Sequence, residues 1–456
     1  MTFGKLRTRR DILRLGGRTL SAIGAASLFG EAGLINARAQ SATDYKAMVC
    51  IFLFGGNDAN NLLIPNDTAS YAAYQKVRQN LAISQASLVK IYDPNSKANF
   101  GLHPALAPLG ALYNLTTGTP RLALAANVGT LVQPTTKANY MSPPAGFQIP
   151  VNLFSHSDQQ TEWQNAVPQG GATAGWQGRL ADKIVQLNTN VNVPPAMGIG
   201  GGALQIVGET TQPSAVGTSG FSLTTGLNDP RTAALQQMLN LPSGVTLIQA
   251  AQASINSAIQ VSQVIDQALN SGAALGTTFP NSGIGSQLAQ VAQIIQARTA
   301  LGANRQIFFC NQGGYDTHSD QLSQQSQLFT DLAAAMAAFD TAMGQLGVQN
   351  NVTTFTESDF SRTFQPNGNA GTDHAWGSHV LIMGGAVKGG QICGTFPTLE
   401  LQGPDDSGDR GNWVPTTSAD QYAATLAKWF GVTAQADLDY VFPNLKNFGY
   451  QSPAFL

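Results

Sequence analysis

The chain has 456 residues, of which 43% are hydrophobic and only 11% charged, and a formal net charge of −2. That length and apolar content suffice for one large or two ordinary globular domains, and the scarcity of charge leaves Gly, Ala, Ser, Thr, Asn and Gln to make a hydrogen-bonding surface. No Lys/Arg run or stripe lies beyond the N-terminal segment, which argues against nucleic acid and anionic lipid surfaces as partners.

Residues 1–39 contain TRRDILRL, a mostly apolar stretch to about Gly33, and the A-x-A site Ala37-Arg38-Ala39. Arg9 and Arg10 supply a twin-arginine pair, Ile12 and Leu13 follow it, and Arg18 leaves the apolar stretch too weak for a permanent span. This predicts a twin-arginine signal, an encounter with the twin-arginine export machinery and a periplasmic or secreted location. The alternative is a basic amphipathic helix of the mature chain. Removing residues 1–39 leaves 17 Lys/Arg and 24 Asp/Glu, net −7. No later stretch reaches the roughly 18 apolar residues of a membrane helix.

Residues 40–456 are predicted to form a single α/β domain with a mainly parallel central sheet sandwiched by helices. Strand-length apolar runs occur in KAMVCIFLFGGND, RLALAAN, NRQIFFCNQGG, NVTTFTESD and SHVLIMGG. Helical patterns occur in SDQQTEWQNA, from Asp320 to Leu346, and in ADQYAATLAKWFG. A Gln/Ala/Ser-rich segment, about 203–305, reads as a helical insertion or cap. Cys50, Cys310 and Cys393 sit in or beside apolar runs and read as buried core thiols, with one bridge as the alternative.

A parallel sheet gathers ligand-binding loops at the carboxyl ends of its strands, and the chemistry-bearing motifs fall there. GGNDANN carries Asp58, a metal ligand or else a turn residue or cap. GGYDTH carries Asp316 and His318, two apart on an extended segment, so both side chains can face one ion such as Zn²⁺, Mn²⁺ or Fe. GTDHAWGSH carries Asp373 and His374, which point apart on a regular backbone and would suit a two-metal centre, and also His379. LFSHSDQQ carries Ser155, a candidate nucleophile at a helix start with Asp158 three residues on, together with His156; Ser157 is the neighbouring alternative. Arg362, in ESDFSRT, could clamp anionic substrate oxygens or pair with Asp359. Four of five histidines lie in these loops; His103, in GLHPALAPL, reads as structural.

The pieces GGNDANN, SHSDQQ, GGYDTH, SDFSRT, GTDHAWG and GGAVKGGQICG together resemble the bacterial family catalogued as domain of unknown function number 1501, within the alkaline phosphatase-like superfamily. The resemblance runs from about Lys46 to Phe442. It implies a two-metal site with ligands on Asp58, Asp316, His318, Asp373 and His374, a hydroxyl nucleophile near Ser155, and a third histidine at His379 or His156. Departures are Asp359 where the family tends to have Glu, and Ser361 where it has Gly. No C/S-x-P-x-R stretch of the sulfatase branch occurs, and there is neither a nucleotide-type phosphate loop nor an HExxH helix.

The expectation is an exported hydrolase acting on a phosphate or related ester, small-molecule or glycan-borne, through two divalent ions (Zn, Mn, Fe, Mg or Ca) and a serine. The alternative is a non-catalytic secreted binding or surface-assembly protein on the same scaffold.

Overall fold

A computed structural model describes residues 44–190, 193–218, 246–270 and 272–456, with scattered positions between 234 and 241. The chain divides into Met1–Tyr45, of which only residues 44 and 45 are described, and a compact unit Lys46–Leu456. The expected export signal, residues 1–39, and part of the expected insertion lie outside the described residues.

The described strands of the compact unit are β1 (Lys46–Leu53), β2 (Leu63–Pro65), β3 (Val89–Asp93), β4 (Ala98–Leu102), β5 (Leu122–Gly129), β6 (Ala196–Ile199), β7 (Ser214–Val216), β8 (Arg305–Gln312), β9 (Val352–Ser358), β10 (Ser378–Met383), β11 (Ile392–Gly394) and β12 (Thr417–Ser418). The central sheet runs β11-β5-β10-β9-β1-β8-β6-β7, with β12 also on β5. β1 lies between β9 and β8, parallel to both and covered on both faces, which is why KAMVCIFL is buried almost throughout instead of alternating. Met48, Cys50 and Phe52 face a core with Trp176, Leu180, Tyr422 and Leu426, so the helices Trp176–Ile184 and Ala419–Phe430 cover that side. On the other side the Gly283–Gln296 helix packs against β8, and the long Gln321–Gln345 helix packs against it in turn. The expected α/β architecture therefore holds.

Two features add to the sequence expectation. β10 runs antiparallel to both β5 and β9, whereas the other pairings of the central sheet are parallel. The expected insertion at 203–305 is also partly integral to the domain. β7 extends the central sheet beside β6, and Ile284, Leu288, Val291 and Ile295 of Gly283–Gln296 are buried. Periodicity reports a helix with an apolar face; it does not report that the face lies on the sheet. A small antiparallel sheet, β2-β4-β3, stands apart from the central one.

The three cysteines are free and buried, as expected. His103 is structural too: its Nδ1 accepts the Ala105 N–H, its ring meets Phe329 edge-on, and burial lowers its pKa to about 4.

Buried carboxyls give the fold a pH dependence. Glu357 on β9 accepts the Cys50 S–H at 3.6 Å, and burial raises its pKa from 4.5 to about 8, against the opposing hydrogen bonds of Gln205 and Cys50. Burial likewise raises Glu162 and Asp420 to about 8. Between the unfolded and folded pKa values the folded state binds the extra protons, so stability must fall as pH rises through this window and level off above it. Thermal melts between pH 5 and pH 8 are expected to show a falling Tm, with a shallower fall for Glu357→Gln. A Glu357→Gln slope equal to that of the parent would remove Glu357 from the account.

Candidate metal centre

The centre assembles at the carboxyl edge of the sheet. Two residues past β1 lies Gly55, whose φ of +114° and lack of a side chain let the Asp316 loop approach; a Cβ there would lie 2.4 Å from Asp316 N. Gly55 is shared between two neighbours, its N–H donating to Asp359 Oδ1 at 3.2 Å and its carbonyl accepting from Arg362 Nη1 at 3.1 Å. Asp316 and His318 follow β8, and Asp359 and Arg362 follow β9. Asp373 and His374 precede β10, and they reach this edge only because β10 runs the opposite way. His156 opens the His156–Asn165 helix, beyond β5.

Ligand atoms of His156, Asp316 and His374 lie within 4.8 Å of one another. Each is oriented by a further contact, as metal ligands require. His374 Nδ1 lies 2.7 Å from the Phe154 carbonyl; because a carbonyl only accepts, Nδ1 carries the proton and Nε2 offers a lone pair. His156 Nδ1 lies 2.7 Å from Asp359 Oδ2, while its buried Nε2 has no hydrogen-bond partner and sits 3.4 Å from Asp316 Oδ1. Gln160 Nε2 also donates to Asp359 Oδ2, at 2.7 Å. His318 places Nδ1 3.1 Å from Asp373 Oδ1, and its Nε2 lies 2.9 Å from Asp316 Oδ1 and 3.1 Å from His374 Nε2. With Nδ1–H directed at Asp373, His318 turns its Nε2 lone pair toward those of His374 Nε2 and Asp316 Oδ1, so three imidazoles surround one carboxylate oxygen. A proton, a donating water or a metal cation among them relieves that repulsion. Two imidazoles and a carboxylate suit a divalent ion such as Zn²⁺, Mn²⁺ or Fe²⁺, so the residues present fit the expected cofactor.

The electrostatics follow the contacts. The hydrogen bond to Asp359 raises the His156 pKa against the opposing effect of burial. Burial lowers His374, and the neighbouring charges of His156, Arg362 and His318 add to this, against the Phe154 carbonyl. Burial alone would raise Asp316, but the Arg362 hydrogen bond and charge, with His156 and His318, leave it below the usual carboxylate range. Asp373 is similar: burial raises it, and Arg410, Asn367 and His318 bring it down.

The remaining expected residues are placed as follows. Asp58 does not join the cluster. It is buried in an ion pair with Arg78, also accepts Gln321 Nε2, and takes the Asn60 N–H at 3.1 Å as the cap of a short 3₁₀ turn. His379 does not join it either: it is buried, stacked on Phe396, accepts the Asn127 N–H through Nδ1, and is lowered by burial to about 3. Of the two candidates for a third histidine, His156 is the one beside the centre. Asp373 lies one step out, tied to His318 and to Arg410 Nη1. Among the described residues one three-ligand group forms, with His318 against two of its members; the motifs implied two ions. Arg362 is fully buried and pairs with Asp316 at 2.8 Å, not with Asp359; its other donors go to Gly55 O, Thr372 O and Thr372 Oγ1, so it is committed to holding the loops. Ser155 occupies the helix N-cap position, but its hydroxyl donates to Asp158 Oδ2 at 2.6 Å instead of capping a backbone N–H. The preceding Phe154 has φ +75°, a strained value for a bulky residue, and its carbonyl is the one that orients His374.

Sequence reasoning missed Arg410 altogether and gave Asp359 the wrong partner. Arg410 sits in GPDDSGDRGNW, whose Gly and Asp content signals only turns.

Fold and site together define an α/β protein with a His/Asp cluster at the carboxyl edge of its sheet. Residues 45–407 match the family described as "Protein of unknown function (DUF1501)", and the chain belongs to that family. No curated protein matches it. Among solved structures it is similar to the lipoteichoic acid synthase LtaP from Listeria monocytogenes, with 8% identity and a TM-score of 0.28 over 75% of this chain and 65% of that one. It is also similar to the PsFucS1 sulfatase from Pseudoalteromonas sp., with 10% identity and a TM-score of 0.31 over 88% of this chain and 70% of that one. The chain thus spans just under two thirds of the synthase's length.

Proposed function

We propose that this chain is an exported, metal-dependent hydrolase of a phosphate or related ester, with one divalent ion held by His156 Nε2, Asp316 Oδ1 and His374 Nε2. The observation that carries this reading is the convergence of those lone pairs, with the His156 nitrogen buried and unpartnered. When bound, the ion would supply Lewis-acid stabilisation of ester oxygens. Ser155 is the nucleophile in this reading. Its hydroxyl is held by Asp158, and the backbone N–H groups that its side chain leaves uncapped at the helix start can face an anion. The ester bond to the alcohol breaks as the Ser155 Oγ bond to phosphorus forms, the hydroxyl proton passes to Asp158, and the alcohol takes a proton from solvent. Water then cleaves the seryl ester. Export rests on the twin-arginine segment; among the described residues no helix is long and apolar enough to cross a membrane.

Elemental analysis of the purified protein, followed by a screen of phosphomono-, phosphodi- and sulfate esters with and without chelator, tests the proposal. Bound divalent metal and chelator-sensitive turnover are expected; a metal-free protein, or turnover indifferent to chelation, would sink it. Ser155→Ala is expected to lower turnover on the order of 10³-fold or more, and Ser157→Ala to leave it near the parent value. The reverse ranking would move the nucleophile to Ser157. Metal without turnover, with a His318→Ala variant that loses thermal stability, would favour the binding-protein alternative suggested by the Gln/Asn/Thr-rich surface.

A further inference from the structure

We infer that Arg410 is the recognition group for an anionic oxygen of the substrate, at the outer rim of the metal centre. The assignment rests on the hydrolase reading and adds to it the residue that binds the negatively charged oxygen such esters keep.

The centre has two guanidinium groups beside it, and they differ in what they can still bind. Arg362 is fully buried, and Asp316, Gly55 and Thr372 together satisfy its fork. Arg410 is 33% exposed and pairs through Nη1 with one oxygen of Asp373, itself 36% exposed. Its Nη2 makes a single contact to the Gln365 carbonyl at 3.3 Å. The fork is therefore not used in bidentate fashion, and an incoming oxyanion can take it in the planar, two-point mode that guanidinium groups favour. From Arg410 a continuous line of contacts leads inward, through Asp373 to His318 and from His318 to His374 and Asp316.

The loop that presents Arg410 is built to hold it still. Asp406, fully buried, accepts backbone N–H groups of Gln402, Gly408, Gly411 and Asn412. The next turn is anchored by Trp413, whose ring N–H donates to Asn60 Oδ1 at 2.8 Å. Gly411, at φ +78°, lies so close to Phe364 that a Cβ would approach its Cβ to 2.3 Å. Such pre-organisation lowers the ordering cost of binding.

Calorimetric titration of metal-loaded full-length protein with inorganic phosphate, run beside a direct measurement of metal uptake, tests this. Arg410→Gln is expected to weaken phosphate binding by about tenfold or more while metal uptake stays at the parent level, and Arg410→Lys, which keeps charge without the fork, to fall between. Parent-like phosphate affinity in both variants, or a metal-loaded parent that binds no phosphate, overturns the role of Arg410 and leaves the metal centre standing. A parent that takes up no metal overturns the centre itself, and the two failures are thereby distinct.

Discussion

Asp58→Ala is expected to destabilise the fold by about 3–5 kcal/mol, the usual cost of stranding one member of a buried ion pair, and to do so whether or not metal is present. Arg78 is completely buried, and its remaining contacts, to the Thr363 and Phe364 carbonyls, carry no formal charge. Gln321 and the Asn60 N–H would lose their acceptor at the same time. Denaturant unfolding of chelated and metal-loaded protein checks the point. A metal ligand would behave oppositely, with little change in the metal-free protein and a large loss of uptake. Asp58→Asn, which keeps a cap but removes the charge, is expected to fall between parent and Ala.

His374→Ala should lower metal affinity on the order of 100-fold or more, measured by competition with a chromophoric chelator. The ring supplies one of three converging atoms and is held by the Phe154 carbonyl. His379→Ala, five residues along, is expected to keep its metal and lose stability instead, because that ring stacks on Phe396 in the interior. Equal metal loss in the two variants would mean that the centre lies elsewhere along this strand.

The long central strands were legible because burial on both faces writes them as continuous apolar runs: KAMVCIFL, RLALAAN, QIFFC, NVTTF and HVLIM all fall within or across β1, β5, β8, β9 and β10. The direction of β10 was not legible, since hydrophobicity carries no sign. Short strands such as β7 and β11 owe their state to their neighbours rather than to their own residues. In the site, residue type pointed correctly to Asp316, His318 and His374 as neighbours, because a scarce residue repeated in several strand-end loops has few other reasons to gather there. It could not separate Asp58 from them. A carboxylate after Gly-Gly looks the same whether it faces an ion or Arg78, twenty positions further along in the chain. Arg410 escaped notice because its meaning comes wholly from the contact with Asp373, 37 positions earlier.

The antiparallel course of β10 has a temporal consequence. The pocket draws on segments from Gly55 to Arg410, and the loop with His374 gains its place only when β10 threads between β5 and β9. For the proposed ligand set, the growing polypeptide can bring His156 and Asp316 together early, and the third ligand, His374, joins them only once β10 has left the ribosome and paired.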